Sequence, residues 1–227
     1  RAGESLGVVG ASGCGKSTLC RALMGLTAIR GGRVDLQGQD LLSLRGEALR
    51  VARRAVQMVF QDPLACLNPA LPVVDAIADP LLIHRICSKA EARERARALL
   101  HRVGLRPAEQ FQQRRPRQLS GGQQQRVAIA RALALEPSVL ICDESVSMLD
   151  AEVQAEVLSL LRQLQNELGL AMIFVTHDLS VASGFCHWVI VLDQGKIVEE
   201  GPGDRIFHAP QAAISRLLVD ASPLLPR

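Results

Sequence analysis

GASGCGKST, residues 10–18, closes an apolar run and opens a helix-forming one. It fits the spacing G-x-x-x-x-G-K-[ST]. Gly10, Gly13 and Gly15 let the backbone curl, so that N–H groups converge on an anion. The following helix adds the positive end of its dipole. Lys16 supplies a point charge to the outer phosphates of a nucleotide, Ser17 supplies a hydroxyl for Mg²⁺, and Thr18 stands beside it. Gly10, Ser12, Gly13, Cys14, Gly15, Lys16, Ser17 and Thr18 therefore form the expected phosphate cradle. An accidental glycine-rich turn is the bland alternative. It loses weight because a strand-like stretch, ESLGVVG (4–10), precedes the loop and a helix-like one, GKSTLCRALMGL (15–26), follows it.

Outward from the loop, the chain alternates between two periodicities. Gly25 is placed to stop the first helix. GRVDLQG (32–38) reads as an edge strand, and AVQMVFQDP (55–63) as a buried strand halted by Pro63. VLICDE (139–144), LAMIFVTHD (170–178) and WVIVLDQGKIVEEG (188–201) supply further strands. In SKAEARERARALLHRVGL (88–105), Ala92, Ala96, Leu99, Leu100 and Val103 share one helical face, and Glu91 and Arg95 pair on the other. DAEVQAEVLSLLRQLQNELG (150–169) is amphipathic, with a stripe of Val153, Val157, Leu160, Leu161, Leu164 and Leu168, Asp150 as N-cap and Gly169 as stop. Such alternation predicts an α/β chain with a parallel sheet covered on both faces. The stretch from about 73 to 118 has no strand and reads as a helical insertion. With the start of the next helix, that insertion covers approximately 73–130 of a single domain, 1–227.

Composition narrows the function classes. Apolar residues make up 48%, ample for a core, and the net charge is only +3, too weak to argue for nucleic acid. Aromatic residues are 3%, without tyrosine, which disfavours a base-stacking platform. The longest apolar stretches, such as LAMIFV, fall well short of the roughly 20 residues that span a bilayer. Cys14, Cys20, Cys66, Cys87, Cys142 and Cys186 form no C-x-x-C pair, so zinc is not expected. Most sit within apolar or small-residue stretches, which suits reduced, buried thiols in a cytosol.

Other strand ends carry chemistry. Ligands in open α/β sheets sit at the carboxyl ends of strands. Asp143 is placed there to hold Mg²⁺, and Glu144, one residue on, to act as general base on an attacking water. A solvated turn is the alternative for such a pair. His177 closes the next strand as a candidate γ-phosphate sensor, weighed evenly against a structural histidine. Gln61, after a third strand, could reach both a metal-bound water and a neighbouring segment.

RQLSGGQQQRVAIARALA (117–134) poses a separate puzzle. Ser120 and Gln123 have capping-box spacing, so Gly121 and Gly122 occupy the first turn of a helix. Glycine there costs about 1 kcal/mol against alanine. The cost makes sense if bare N–H groups are to meet a second anion. A plain turn is the competing reading.

LSGGQ together with GASGCGKST, LICDE, Gln61, SMLD and His177, in this order, resembles the nucleotide-binding subunit of an ABC transporter. The resemblance covers essentially the whole chain. It implies a P-loop NTPase (RecA-like) fold, and ATP and Mg²⁺ as cofactors, with the metal held by Ser17, Gln61 and Asp143. It implies that two domains meet head to tail, each phosphate loop facing the LSGGQ of the other. Ser120, Gly121, Gly122 and Gln123 then act in trans, and Asp150 matches the loop that crosses the interface. The helical insertion and the Gln61 region match the part that docks on transmembrane permease subunits, which work with a solute-binding protein. The location implied is peripheral, at the cytoplasmic face of the plasma (inner) membrane, with a second ATPase subunit, identical or not, and no nucleic acid.

QMVFQDPLACLNP (57–69), ICDESVSMLDAEVQAEVLSLL (141–161) and GPGDRIFHAPQAAISRLL (201–218) resemble ATPases of the peptide/nickel importer group. Ser145 stands where that group usually has proline, and Met148 where it usually has alanine, a slight tilt toward a metal-type or paired-subunit system. The family also carries, ahead of the phosphate loop, a strand and an aromatic that stacks on adenine. This sequence has nine residues before Gly10 and neither feature, so the cassette implied lacks its N-terminal strand(s). Two further readings stay open: a non-transport ABC ATPase of DNA repair or translation, and a binding-only cassette.

Overall fold

The computed structural model describes residues 1–222. Strand β1 (Ser5–Val9) runs into the glycine loop and helix α1 (Lys16–Leu23). Two short strands follow, β2 (Asp35–Leu36) and β3 (Gln39–Asp40), then α2 (Gly46–Ala52) and β4 (Val56–Val59). Four helices separate β4 from the next strand: α3 (Pro63–Cys66), α4 (Val73–Ile83), α5 (Lys89–Arg102) and α6 (Gly121–Leu133). The chain then alternates through β5 (Val139–Asp143), α7 (Ala151–Leu168), β6 (Ala171–Thr176), α8 (Leu179–Phe185), β7 (Trp188–Asp193) and β8 (Lys196–Pro202). It ends in α9 (Gly203–His208) and α10 (Ala213–Ala221).

Six strands form one sheet in the order β4-β5-β6-β1-β7-β8, parallel except for the antiparallel edge strand β8. One apolar core joins a face of the sheet, around Val9, Leu140, Phe174 and Val191, to residues of helices α4 to α8. Helix α1 covers part of the other, where Val8, Cys20, Ile141, Val175 and Ile190 meet. The order reverses around β1, and the register puts Val9 beside Thr176 and Asp143 beside Val175. The carboxyl ends of β1, β5 and β6 therefore lie side by side, where ligands of open α/β sheets bind.

Three expectations need correction. GRVDLQG contributes only β2, paired with β3 in a ladder apart from the main sheet. Polar side chains there and in β3 satisfy the backbone locally: Asp35 accepts from the Gly38 N–H and Asp40 from those of Val34 and Leu42. Such bonds compete with strand pairing. Strand β4 lies at the sheet edge, with Gln57 and Met58 only half-buried, so just Val56 and Val59 are core residues. In α7, Val157, Leu160, Leu161 and Leu164 are buried, whereas Leu168 is exposed in the last turn. The caps agree with expectation. Asp150 accepts from the Val153 N–H at 3.0 Å, and Gly169 takes the left-handed conformation.

Candidate functional site

The loop between β1 and α1 is shaped by contacts that exclude side chains. A methyl group at Gly10 would overlap the Leu192 carbonyl and crowd the Cys14 sulfur. Gly15 precedes α1 with φ of 110°, a left-handed conformation that glycine adopts without a Cβ penalty. Helix α1 begins with no side-chain cap and no acidic residue in its first turn. Its first N–H groups have no intrahelical partner, so they and the dipole form a positive concavity suited to phosphate oxygens.

Lys16 is 5% exposed, and its ammonium donates to the carbonyls of Gly10 (2.8 Å) and Ala11 (3.1 Å). It also lies 3.8 Å from a Glu144 carboxylate oxygen. Ser17 donates its hydroxyl to Asp143 at 3.2 Å, which joins α1 to the end of β5. Burial raises the Asp143 carboxyl above its ordinary value, Ser17 opposes that rise, and the neighbouring Glu144 charge adds to it. A hydroxyl and a carboxylate side by side at a phosphate cradle offer the hard oxygen ligands Mg²⁺ prefers. The residues present therefore fit the ion.

Glu144 occupies a left-handed backbone conformation (φ 47°), uncommon for a residue with a side chain. Its N–H donates to the Val175 carbonyl, and its own carbonyl accepts from the Ser147 hydroxyl at 2.9 Å. The turn thus fixes a carboxyl group that is 18% exposed, between Lys16 and His177. His177 Nδ1 is 3.7 Å from the second Glu144 oxygen, and its ring is 54% exposed. The structure therefore brings Lys16, Ser17, Asp143, Glu144 and His177 together. Gln61 is exposed just past β4, the neighbour of β5, and makes none of these contacts. Cys14 has a buried side chain, and its N–H donates to the Ala11 carbonyl, so it shapes the loop from beneath.

Sequence reasoning missed the supports of His177. Asp178 donates its N–H to the Thr176 hydroxyl and caps α8 by accepting from the N–H groups of Ser180 and Val181. The signal was an aspartate before an apolar run. Ser12, Ser147, Thr176, His177 and Asp178 line a cleft of ≈ 480 Å³ beside the loop.

The second helix start, at α6, is built differently. Ser120 accepts from the Gln123 N–H (3.4 Å), and the Gln123 side chain accepts from the Ser120 N–H (3.1 Å), a complete capping box. A side chain at Gly122 would overlap Val153 of α7. Close packing thus gives Gly122 a structural reason of its own, beside any part it has in meeting a ligand. Gly121 is exposed, and a methyl there would meet only Leu149, at an ordinary 3.6 Å. Among the described residues no helix is long and apolar enough to cross a membrane, and no group of three or more His, Cys, Asp or Glu could hold a metal on its own.

The chain is similar to known proteins over most of its length. The family model for ABC transporters matches residues 1–147. The oligopeptide transport ATP-binding protein OppF of Escherichia coli (strain K12) is 47% identical over 98% of this chain, which spans 66% of that protein. The glutathione import ATP-binding protein GsiA of Pectobacterium atrosepticum is also 47% identical over 98% of the chain, here 35% of the relative's length. Among solved structures, cbiO1 from Clostridium perfringens, part of the ABC transporter complex cbiONQ, superposes with a TM-score of 0.82. It is 31% identical, over 92% of this chain and 81% of that one. An ATP-binding cassette solved as a dimer in a post-hydrolysis state, bound to ADP and Pi, gives a TM-score of 0.78. It is 35% identical, over 89% of this chain and 86% of that one.

Proposed function

We propose, from the premise that this chain belongs to the ABC transporter family, that it is the ATP-hydrolysing part of an importer for peptides or related small solutes. One observation carries the chemistry. Lys16, Ser17, Asp143, Glu144 and His177 converge at the carboxyl ends of adjacent strands, above a helix start that the chain leaves without a cap. Peptides are the preferred cargo class because the relatives compared are named for oligopeptide and glutathione transport rather than for nickel. The chain spans at most about two thirds of those relatives, so cargo and assembly are assigned here to the whole protein.

The roles follow from position. The loop N–H groups and Lys16 hold the β- and γ-phosphates of ATP; on ATP arrival, Lys16 exchanges its loop carbonyls for phosphate oxygens. Ser17 and Asp143 would hold Mg²⁺ and Gln61 would complete its surroundings; when bound, the ion neutralises charge that develops on the phosphates. Glu144, fixed by its left-handed turn, takes the proton from the attacking water. His177 orients Glu144 and senses the γ-phosphate. Ser120, Gly121, Gly122 and Gln123 meet the ATP held by a second subunit, with Asp150 at the crossing between the two. The helical insertion, residues 73–130, and the Gln61 region face permease subunits at the inner surface of the membrane, supplied by a solute-binding protein.

The test is a pair of measurements with Mg-ATP. The wild-type chain releases phosphate. Glu144→Gln lowers that rate by about 10²–10⁴, the range for losing a general base, and accumulates as an ATP-bound dimer on gel filtration. Phosphate release at the wild-type rate in the variant, or a variant that stays monomeric with Mg-ATP, overturns the assignment.

A further inference from the structure

The hairpin turn joining β7 to β8 lies against the phosphate loop, and neither the motifs nor the family resemblance assigns it a role. Three features converge there. The Gly195 N–H donates to the Cys14 carbonyl at 2.9 Å. The Leu192 carbonyl fills the place where Gly10 would carry a side chain, and the Gly195 α-carbon would lie 3.8 Å from a methyl at Gly15. The strand pairing shifts register between Val191 and Leu192, a bulge two residues before the turn. Bulges bend and twist strands and cluster beside functional sites.

The local chemistry suits a fixed shape. Gln194 (φ 47°) and Gly195 (φ 76°) are both left-handed, as a two-residue turn of the tight hairpin type requires. The turn residues are exposed, while Leu192 is buried in the same small core as Cys14 and Cys20. The hairpin is anchored beneath the loop and touches it from the side with backbone atoms.

The geometry points to the β7–β8 turn as a brace for the phosphate loop, with Gly195 as a positioning residue for nucleotide binding. By occupying the Cys14 carbonyl, Gly195 holds that peptide in one orientation, and the N–H groups of the following residues stay aimed at the phosphate position. Leu192 and Gly195 grip opposite ends of the same curl, at Gly10 and at Cys14–Gly15. The brace acts on the ground-state grip of the phosphates and touches no reacting atom. This inference rests on the nucleotide reading above.

Substitution at Gly195 is a clean test because a side chain there meets open space and acts only through the backbone. Valine, β-branched, resists the left-handed conformation, whereas asparagine tolerates it. Gly195→Val is expected to weaken Mg-ATP binding at least about tenfold, the order set by left-handed strain, and to raise KM while kcat at saturation changes little. Gly195→Asn restores binding to near wild type. A Gly195→Val protein that folds and binds Mg-ATP as well as the wild type overturns the brace. Should that variant fail to fold, amide exchange on the wild-type chain decides: the exposed Gly195 N–H is expected to be protected, and exchange at the rate of an open peptide overturns the inference. Absence of Mg-ATP binding by the wild type would instead count against the nucleotide reading, and the exchange measurement would still judge the brace.

Discussion

Helices α1 and α6 both have glycine at their starts, Gly15 just before the first and Gly121 opening the second, and the two starts are finished in opposite ways. The start of α1 has no cap, no acid in its first turn and a neighbouring lysine, and carboxylates from β5 stand beside it. The start of α6 is closed by its own Ser120–Gln123 box and has its second glycine pressed against Val153. Ahead of a third start, that of α10, Glu199 of β8 accepts from the N–H groups of Gln211 and Ala212, the two residues before the helix. On the proposed function, the open start surrounded by reactive groups is where the chain would do its own chemistry, and the closed start at α6 is the one it would present to another molecule.

Removing the charge at the open start should have the largest effect. Lys16→Ala is expected to lower phosphate release at least about a hundredfold, the scale for losing a preorganised electrostatic contact, with little change in thermal stability. Turnover near the wild-type rate would erase the contrast between the two starts.

At α6 the expectation is the reverse, stability before activity. Gly122→Ala pushes a methyl into Val153 and should destabilise the fold by about 1–3 kcal/mol, read as a lower Tm. Adding Val153→Ala should restore most of the loss. If Gly122→Ala leaves Tm unchanged and impairs only ATP-dependent dimerisation, the glycine serves the ligand after all.

The smallest effect concerns α10. Hydrogen bonds from the α10 start hold the Glu199 carboxyl below its ordinary value, in spite of its burial. A depressed carboxyl contributes stability that is complete at neutral pH and lost as pH falls through the carboxylate range. Glu199→Gln is therefore expected to flatten the acid side of the stability curve, measured as Tm between neutral and mildly acidic buffer. An unchanged acid slope would show that this start is sealed without help from the charge.

The legible part of the molecule was local. The phosphate loop, the Ser120–Gln123 box, the Asp150 cap and the carboxylates ending β5 are written in short spacings, and each lies where those spacings put it. What escaped was non-local or concerned backbone angles. Nothing near Gly122 announces Val153, which lies on the following long helix, and an acidic side chain gives no hint that Glu144 will be left-handed. GRVDLQG alternates as a strand should, yet Asp35 and the nearby Asp40 bond their own turn. Most of the thiols are buried, as their apolar surroundings suggest, while Cys66 and Cys87 are only half-buried. Cys20, Cys142 and Cys186 are buried, and burial pushes each up to about 12.

The contact between Gly122 and Val153 has a mechanical side. It fastens the first turn of α6 to the first turn of α7, and the short run from Glu144 to Asp150 leads straight into that joint, tied back by Ser147. On the proposed function, the surface offered to a second subunit and the carboxylate that meets the water would thus be joined through one short, hydrogen-bonded run of chain.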